Sequence, residues 1–141
     1  MEAGRVMLSR LTELADARES FAFETTLSGK HFARRLKDLR SVGYKVHLFF
    51  LYLPSADMAV HRVTRRIQLG GHSVPDDVIR RRYELGLRNL FRLYLPLTTS
   101  WAIYDNSIGG RPRLIASGAG SSAAVLAQPD LFQQLKATYD D

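Results

Sequence analysis

Eight residues of nearly unbroken apolar sequence, 46–53, constrain the fold more than any other feature of this chain. The run does not alternate between apolar and polar residues, so it predicts a β-strand that is covered on both faces. Pro54 and Ser55 end the strand and open a helical pattern that extends to about Leu69. A strand of this kind followed by a helix is typical of a parallel sheet flanked by helices.

Other periodic segments lie on both sides of this strand. Further helices are predicted over residues 2–19, 28–43, 75–96 and around 131–135, and further strands over 21–27, 101–104 and 113–116. The helix over 28–43 is expected to begin at an N-cap, Ser28, to carry Phe32, Leu36 and Leu39 on one face, and to end at Gly43. The helix over 75–96 is expected to carry an apolar stripe of Ile79, Tyr83, Leu87, Leu90 and Tyr94. The alternation of strands with helices predicts an open α/β layer fold. Residues 118–124 are small and predict a linker, which separates a domain over 1–118 from a short C-terminal helix within 119–141.

Composition limits the classes of protein to be considered. The chain has 141 residues, 45% of them hydrophobic, which is enough for one domain with a core. It has no cysteine, which excludes disulfides and thiolate metal sites. No signal sequence or membrane-length apolar run is present, so a cytoplasmic protein is expected. The net charge of +6 comes mostly from arginine, which suits a nucleotide or nucleic acid, although a generally basic proteome explains it equally well.

Glu24 is the first candidate site residue. It lies near the carboxyl end of the predicted strand over 21–27, the edge at which open α/β sheets place ligands. Strand alternation puts Glu24 on the same face as Thr26, so a carboxylate and a hydroxyl together could hold a substrate alcohol group. The alternative is a Glu that pairs with a nearby arginine.

Arginines surround the glycine pair at positions 70 and 71. They are Arg62, Arg65 and Arg66 before it, and Arg80, Arg81 and Arg82 after it. Two basic helices joined by a glycine hinge predict a lid that closes on polyphosphate. The alternative is a solvated basic face with Asp76, Asp77 and Glu84 as its partners.

Some common site patterns are absent. No Gly-x-x-x-x-Gly-Lys-Ser/Thr motif occurs, so the usual phosphate cradle is missing. The four histidines do not have the spacing of zinc ligands. The aromatic residues Phe91, Tyr94 and Trp101 are expected to fill the core rather than to stack on nucleobases.

Four blocks of sequence, in order, resemble the zeta-toxin-like P-loop kinases. They are FETTLSG at 23–29, GYKVHLFF at 43–50, GGHSVPDDVIRRR at 70–82 and YDNS at 104–107. The resemblance covers residues 2–116 and implies a P-loop kinase fold with a mostly parallel sheet flanked by helices. It also implies that the γ-phosphate of ATP, with Mg²⁺, is transferred to a sugar hydroxyl, with UDP-N-acetylglucosamine as the acceptor of the best-known members.

The resemblance also implies roles for individual residues. Glu24 and Thr26 would contact the acceptor sugar. One arginine of each lid helix would clamp the ATP phosphates, and Arg66 and Arg81 are favoured for this role among Arg62, Arg65, Arg66, Arg80, Arg81 and Arg82. Asp105 and Asn106 would lie near the nucleotide base.

The chain departs from the family pattern at its beginning. In the family, the phosphate loop and the general-base aspartate both precede the helix with which this sequence starts. The loss of the loop should nearly abolish phosphoryl transfer. It also removes the central strand of the sheet, so the strand over 21–27 would have unpaired edges. The chain alone is therefore expected to be marginally stable or to aggregate, unless a partner supplies the missing strands or the sheet closes over the gap.

Three functional hypotheses follow. The first is a kinase fragment, produced by a truncated gene or by a start codon assigned too late. The second is a non-catalytic module that binds a nucleotide or an antitoxin-like protein through its arginine helices. The third is a basic nucleic-acid binder, which is the weakest because no recognised nucleic-acid motif is present.

Overall fold

The computed structural model describes residues 2–140, which contain both α-helices and β-strands. The α-helices are α1 (Glu2–Asp16), α2 (His31–Ser41), α3 (Ala56–Gln68), α4 (Asp76–Asn89) and α5 (Pro129–Tyr139). The strands are β1 (His47–Tyr52), β2 (Ser100–Asp105), β3 (Arg113–Ala119) and β4 (Ser122–Leu126). A π-helical turn (Leu90–Tyr94) and a 3₁₀ turn (Leu95–Leu97) prolong α4. None of the helices within 2–140 is long and apolar enough to span a membrane.

The four strands form one mixed sheet in the order β1-β2-β3-β4. Only β1 and β2 are parallel, and they are joined by a crossover through α3 and α4. The combination of this sheet with helices confirms the predicted α/β class. The β2–β3 and β3–β4 pairs are antiparallel, however, so the prediction of a mostly parallel sheet is wrong. The reason is the length of the connections between these strands. A short loop can place the next strand only antiparallel to the one before it, whereas a parallel pair needs a long crossover.

The interpretation of residues 118–124 as a linker is also wrong. These residues form the β3–β4 hairpin, whose turn contains Gly120 at a φ of +55°. A Cβ at Gly118 would lie 2.7 Å from the Trp101 ring and 2.1 Å from the Ser122 carbonyl oxygen. Small residues are therefore needed here because strands and an indole ring pack closely. The predicted C-terminal helix is confirmed as α5, and its Phe132 ring stacks on Trp101 with centroids 5.9 Å apart.

Residues 21–27 do not form the predicted strand, since no strand in the described part of the chain pairs with them. Their aromatic side chains instead pack against α2 and the residues after it. The Phe23 ring lies 5.1 Å from Phe32, and the Phe21 ring lies 5.9 Å from Tyr44. The expected alternation of side chains holds only from Phe21 to Glu24, where Ala22 and Glu24 are exposed and Phe21 and Phe23 are half-buried, and it ends at Thr25, which is exposed.

The apolar strand β1 is covered on one face only, which corrects the prediction that both faces are buried. Its residues Leu48, Phe50 and Tyr52 contribute to the core. On the other face, Phe49 and Leu51 are 71% and 54% exposed. β1 is an edge strand of the sheet, and no helix of the described residues covers this face. The open edge predicted for residues 21–27 therefore belongs to β1 instead.

The core lies between the covered face of the sheet and α2, α4 and α5. Phe32, Leu36 and Leu39 of α2 are buried, as their helical spacing predicted. The expected stripe of α4 and the turn after it is confirmed at Ile79, Leu87, Leu90 and Tyr94, which are all buried. The predicted N-cap at Ser28 is wrong, because α2 begins after Lys30 and the Ser28 hydroxyl bonds to Thr26 instead. Gly43 follows α2 with a φ of +100°, as expected for a C-terminal cap.

Candidate functional site

The carboxyl ends of the parallel strands β1 and β2 lie side by side. Tyr52 and Asp105 are paired across the strands, and the Asn106 amide donates a hydrogen bond to the Tyr52 carbonyl oxygen at 2.8 Å. Arg62 of α3 donates from its guanidinium group to the Asn106 carbonyl oxygen. The Asp105 carboxylate accepts a hydrogen bond from the Ser107 amide at 2.9 Å. The fold thus brings Arg62 together with Asp105 and Asn106, three of the residues that the sequence singled out.

The other arginines lie on α3 and α4, which pack against each other. Arg80 pairs with Asp57 of α3 at 2.7 Å, and not with Asp76, Asp77 or Glu84 as the alternative proposed. Arg65, Arg66, Arg81 and Arg82 are exposed, and none of them has an ion-pair partner among residues 2–140. Free guanidinium groups on two adjacent helices are suited to an anionic ligand with several oxygens.

The glycine pair between these helices has a defined structural role. The Gly70 amide donates to the Ile67 carbonyl oxygen at 3.0 Å, and the Gly71 amide donates to the Arg66 carbonyl oxygen at 2.8 Å. This pattern, with Gly70 at a φ of +98°, is a Schellman motif that ends α3. The glycines therefore set the direction in which the chain leaves the last turn of α3, where Arg65 and Arg66 lie.

Glu24 and Thr26 project from an irregular segment rather than from a strand. Both are exposed, and the Thr26 hydroxyl is 2.8 Å from the Ser28 hydroxyl. Glu24 forms no ion pair or side-chain hydrogen bond with any described residue, so the proposed pairing with an arginine is not present. The backbone of this segment contacts α4 and the π-helical turn, through Gly86, Asn89 and Tyr94.

Sequence reasoning missed Gly86 and Asn89. Both had a signal, because a glycine in the interior of a helix needs a packing reason, and Asn89 is a polar residue beside the apolar stripe of α4. Tyr94 was assigned to the core, where its ring is indeed buried. The contact that its hydroxyl makes with the Gly29 carbonyl oxygen could not be foreseen.

A cluster of tyrosines lies under the ends of β1 and β2. The Tyr83 hydroxyl donates to the Leu53 carbonyl oxygen at 2.7 Å. Burial raises the pKa of Tyr83 well above its usual value of 10, and the nearby hydroxyl of Tyr52 raises it further. Burial also raises the pKa of Tyr52 and of Tyr139. These hydroxyls therefore stay protonated at neutral pH, where that of Tyr83 acts as a hydrogen-bond donor.

No set of three or more His, Cys, Asp or Glu side chains is placed to bind a metal ion within the part of the chain that the structure describes. The guanidinium groups of Arg65, Arg66, Arg81 and Arg82 are exposed on α3 and α4. They match the oxygens of a polyphosphate in charge and in hydrogen-bond donors.

Comparison with known proteins identifies relatives of this chain. A protein of Haemophilus influenzae (strain ATCC 51907 / DSM 11121 / KW20 / Rd), described as an uncharacterized protein, is 28% identical over 83 residues. The match covers 59% of this chain and 59% of that protein. No solved structure matches the chain. The family model described as Zeta toxin matches residues 1–105, which include α1 to β2 and every candidate site residue except Asn106. The chain therefore belongs to the Zeta toxin family.

Proposed function

We propose that this chain carries the acceptor-binding segment and the arginine lid of a kinase that transfers the γ-phosphate of ATP to a sugar hydroxyl. Family membership supports a kinase-like or toxin-related function. The observation that favours the nucleotide site most is the contact between Arg62 and Asn106 at the carboxyl ends of β1 and β2. This is the edge at which open α/β sheets bind their ligands.

In this proposal each group has a separate ligand. Arg66 and Arg81, which have no ion-pair partner among residues 2–140, bind the phosphates of ATP, while Asp105 and Asn106 contact the base. Glu24 and Thr26 bind the acceptor, a nucleotide sugar of the UDP-N-acetylglucosamine type. Because the described residues provide no acidic cluster, Mg²⁺ would be held mainly by the phosphate oxygens and water.

We propose that the chain binds these ligands but transfers phosphate poorly by itself. The sequence contains no Gly-x-x-x-x-Gly-Lys-Ser/Thr loop, and phosphoryl transfer depends on such a loop for positioning and charge stabilisation. The chain also spans only 59% of the length of the Haemophilus protein that it matches, so the activity of a whole relative remains a proposal here.

Calorimetric titration of ATP with Mg²⁺ tests the lid. The wild-type chain is compared with Arg66→Ala and Arg81→Ala, and with Arg10→Ala as a control that removes the same charge from exposed α1. Each lid substitution is expected to weaken binding by about tenfold, or roughly 1.4 kcal/mol, because a charge-assisted hydrogen bond to phosphate is lost. If Arg10→Ala lost as much ATP affinity, the effect would come from net charge and not from the positions of Arg66 and Arg81. The absence of ATP binding by folded wild-type protein would refute the proposal.

The exposed apolar face of β1 favours a second candidate, a module that binds an antitoxin-like protein. Phe49 and Leu51 lie on an edge strand whose backbone groups are open to pairing with another chain. The isolated chain is then expected to self-associate, and Phe49→Lys is expected to reduce this in light scattering. Val6→Lys on α1, where Val6 is also exposed, is the matched control. A monomeric wild-type chain at high concentration would count against this candidate.

A further inference from the structure

The segment that carries Glu24 and Thr26 has no helix or strand ladder of its own, yet its backbone is fixed from one side. The carbonyl oxygens of Thr26, Leu27 and Gly29 all face α4 or the π-helical turn after it. The Asn89 side-chain amide donates to the Leu27 oxygen at 2.8 Å, and the Tyr94 hydroxyl donates to the Gly29 oxygen at 2.5 Å. Asn89 is only 4% exposed, so its hydrogen bond is shielded from water.

The Thr26 carbonyl oxygen approaches the helix where a side chain is missing. A Cβ at Gly86 would lie 2.5 Å from this oxygen, which is closer than two such atoms can come. The glycine therefore allows the segment to lie directly on the backbone of α4.

The π-helical turn brings Tyr94 to the same side of the helix as Asn89. In a regular α-helix, residues five positions apart point about 140° away from each other. Here the Leu95 amide donates to the Leu90 carbonyl oxygen, five residues earlier, which widens the turn. Residue 94 then lies above residue 89 instead of on the opposite side, and both can reach the segment. Such turns occur often at functional sites.

The segment is held in a conformation that its sequence does not favour. Leu27 has a φ of +59°, in the left-handed region that a bulky residue avoids at a cost of about 1–2 kcal/mol. The Leu27 side chain is buried, whereas the side chains of Glu24 and Thr26 are exposed. The contacts from α4 thus fix the backbone while leaving the polar side chains free to meet a ligand.

We infer that Gly86, Asn89 and Tyr94 are positioning residues, which hold residues 24–29 so that Glu24 and Thr26 can bind the sugar end of a nucleotide sugar. This inference rests on the proposed function for the choice of ligand, but the positioning itself does not depend on it.

Two measurements on Asn89→Leu test the inference, because leucine has the same number and branching of side-chain heavy atoms as asparagine but cannot donate a hydrogen bond. The first is hydrogen–deuterium exchange of peptides that cover residues 23–29. The second is the affinity for UDP-N-acetylglucosamine and, separately, for ATP with Mg²⁺. Tyr94→Phe is the second variant, and Tyr44→Phe is the control, since its hydroxyl donates to the carbonyl oxygen of Glu19 outside this segment.

Asn89→Leu and Tyr94→Phe are expected to accelerate exchange at residues 23–29 by about tenfold, with α2 and β1 unchanged. UDP-N-acetylglucosamine binding should weaken by about tenfold while ATP affinity stays within about twofold. A purely structural role would change exchange throughout the chain, or both affinities equally, and either result overturns the inference. If the wild-type chain binds no nucleotide sugar, the acceptor proposal fails. The exchange data then decide alone whether these residues position the segment, and unchanged exchange would refute it.

Discussion

The two parts of the candidate site differ in how they are held. Residues 24–29 are tied to α4 and to the π-helical turn after it by hydrogen bonds from Asn89 and Tyr94, and their backbone rests on Gly86. The arginines of α3 and α4 are mostly exposed, and the ion pair that they do form, Arg80 with Asp57, lies at the surface. In the proposed function, a fixed backbone suits recognition of one sugar geometry, whereas unpaired guanidinium groups can adjust to a flexible polyphosphate.

The largest effect is expected from Gly86→Ala. Alanine in place of glycine in an exposed helix interior stabilises a protein by up to about 1 kcal/mol. Here the added Cβ would meet the Thr26 carbonyl oxygen at 2.5 Å, so the segment must move away. We expect the free energy of unfolding to fall by about 2–3 kcal/mol, as in other overpacked sites, and urea unfolding followed by circular dichroism would measure it.

Gly4→Ala on α1 is the matched control for this substitution. A Cβ at Gly4 would meet no atom within 4 Å, so the change should be neutral or slightly stabilising. If Gly86→Ala also stabilised the protein, the segment could not be resting on α4, and the difference between the two parts of the site would disappear.

A smaller loss is expected from Tyr94→Phe, which removes one buried hydroxyl and keeps the ring. The Gly29 carbonyl oxygen then loses its donor, so unfolding should become easier by about 1–1.5 kcal/mol. Tyr44→Phe removes a similar bond, to the Glu19 carbonyl oxygen, at an exposed position and should cost less. Urea unfolding would measure both losses. Equal decreases in the free energy of unfolding would show that the bond to Gly29 stabilises the protein no more than the exposed bond to Glu19 does.

The stability difference between wild type and Tyr94→Phe should narrow at alkaline pH. Burial raises the pKa of Tyr94 in the folded chain above the value of about 10 expected for the unfolded chain. The contribution of the protonated hydroxyl is therefore complete below pH 10 and is lost as the pH rises through the folded-state pKa. Urea unfolding of both proteins at pH 8 and pH 10.5 would detect this change, and a constant difference would contradict it.

The sequence predicted the elements whose signals are local. The helical spacing of Phe32, Leu36 and Leu39 correctly predicted α2. The arginines on both sides of Gly70 correctly predicted two neighbouring basic helices, α3 and α4. Where the prediction failed, the outcome depended on residues distant in the chain. Residues 21–27 have the composition of a strand, but a strand requires a neighbour, and the described residues provide none.

The candidate site shows the same limit. Spacing could place Arg62 on a lid helix, but not against Asn106, which is 44 residues away. The placement of Tyr94 beside Asn89 depends on a π-helical turn, for which the sequence of residues 90–94 has no recognised signal. The Arg80–Asp57 pair was missed because charge patterning considered neighbours within α4, such as Asp76 and Glu84, and not the facing helix.

The smallest effect is expected from the proposed lid, in a double-mutant cycle of Arg80→Ala and Asp57→Ala. The two side chains are 49% and 80% exposed, so water screens the pair despite its 2.7 Å distance. We expect a coupling energy below about 0.5–1 kcal/mol that falls further in 1 M salt. Urea unfolding of the wild type, the two single variants and the double variant would give this coupling energy.

The same double-mutant cycle on Arg10 and Glu13 of α1 provides the reference value for the coupling energy between Arg80 and Asp57. That pair has a length of 3.0 Å and similar exposure, but it lies within one helix, so it cannot fix one helix against another. Two equally weak couplings would mean that α3 and α4 are free to adjust their arginines to a ligand. A clearly stronger coupling between Arg80 and Asp57 would mean that the lid is held in one position before any ligand arrives. The arginine helices would then be as preorganised as residues 24–29.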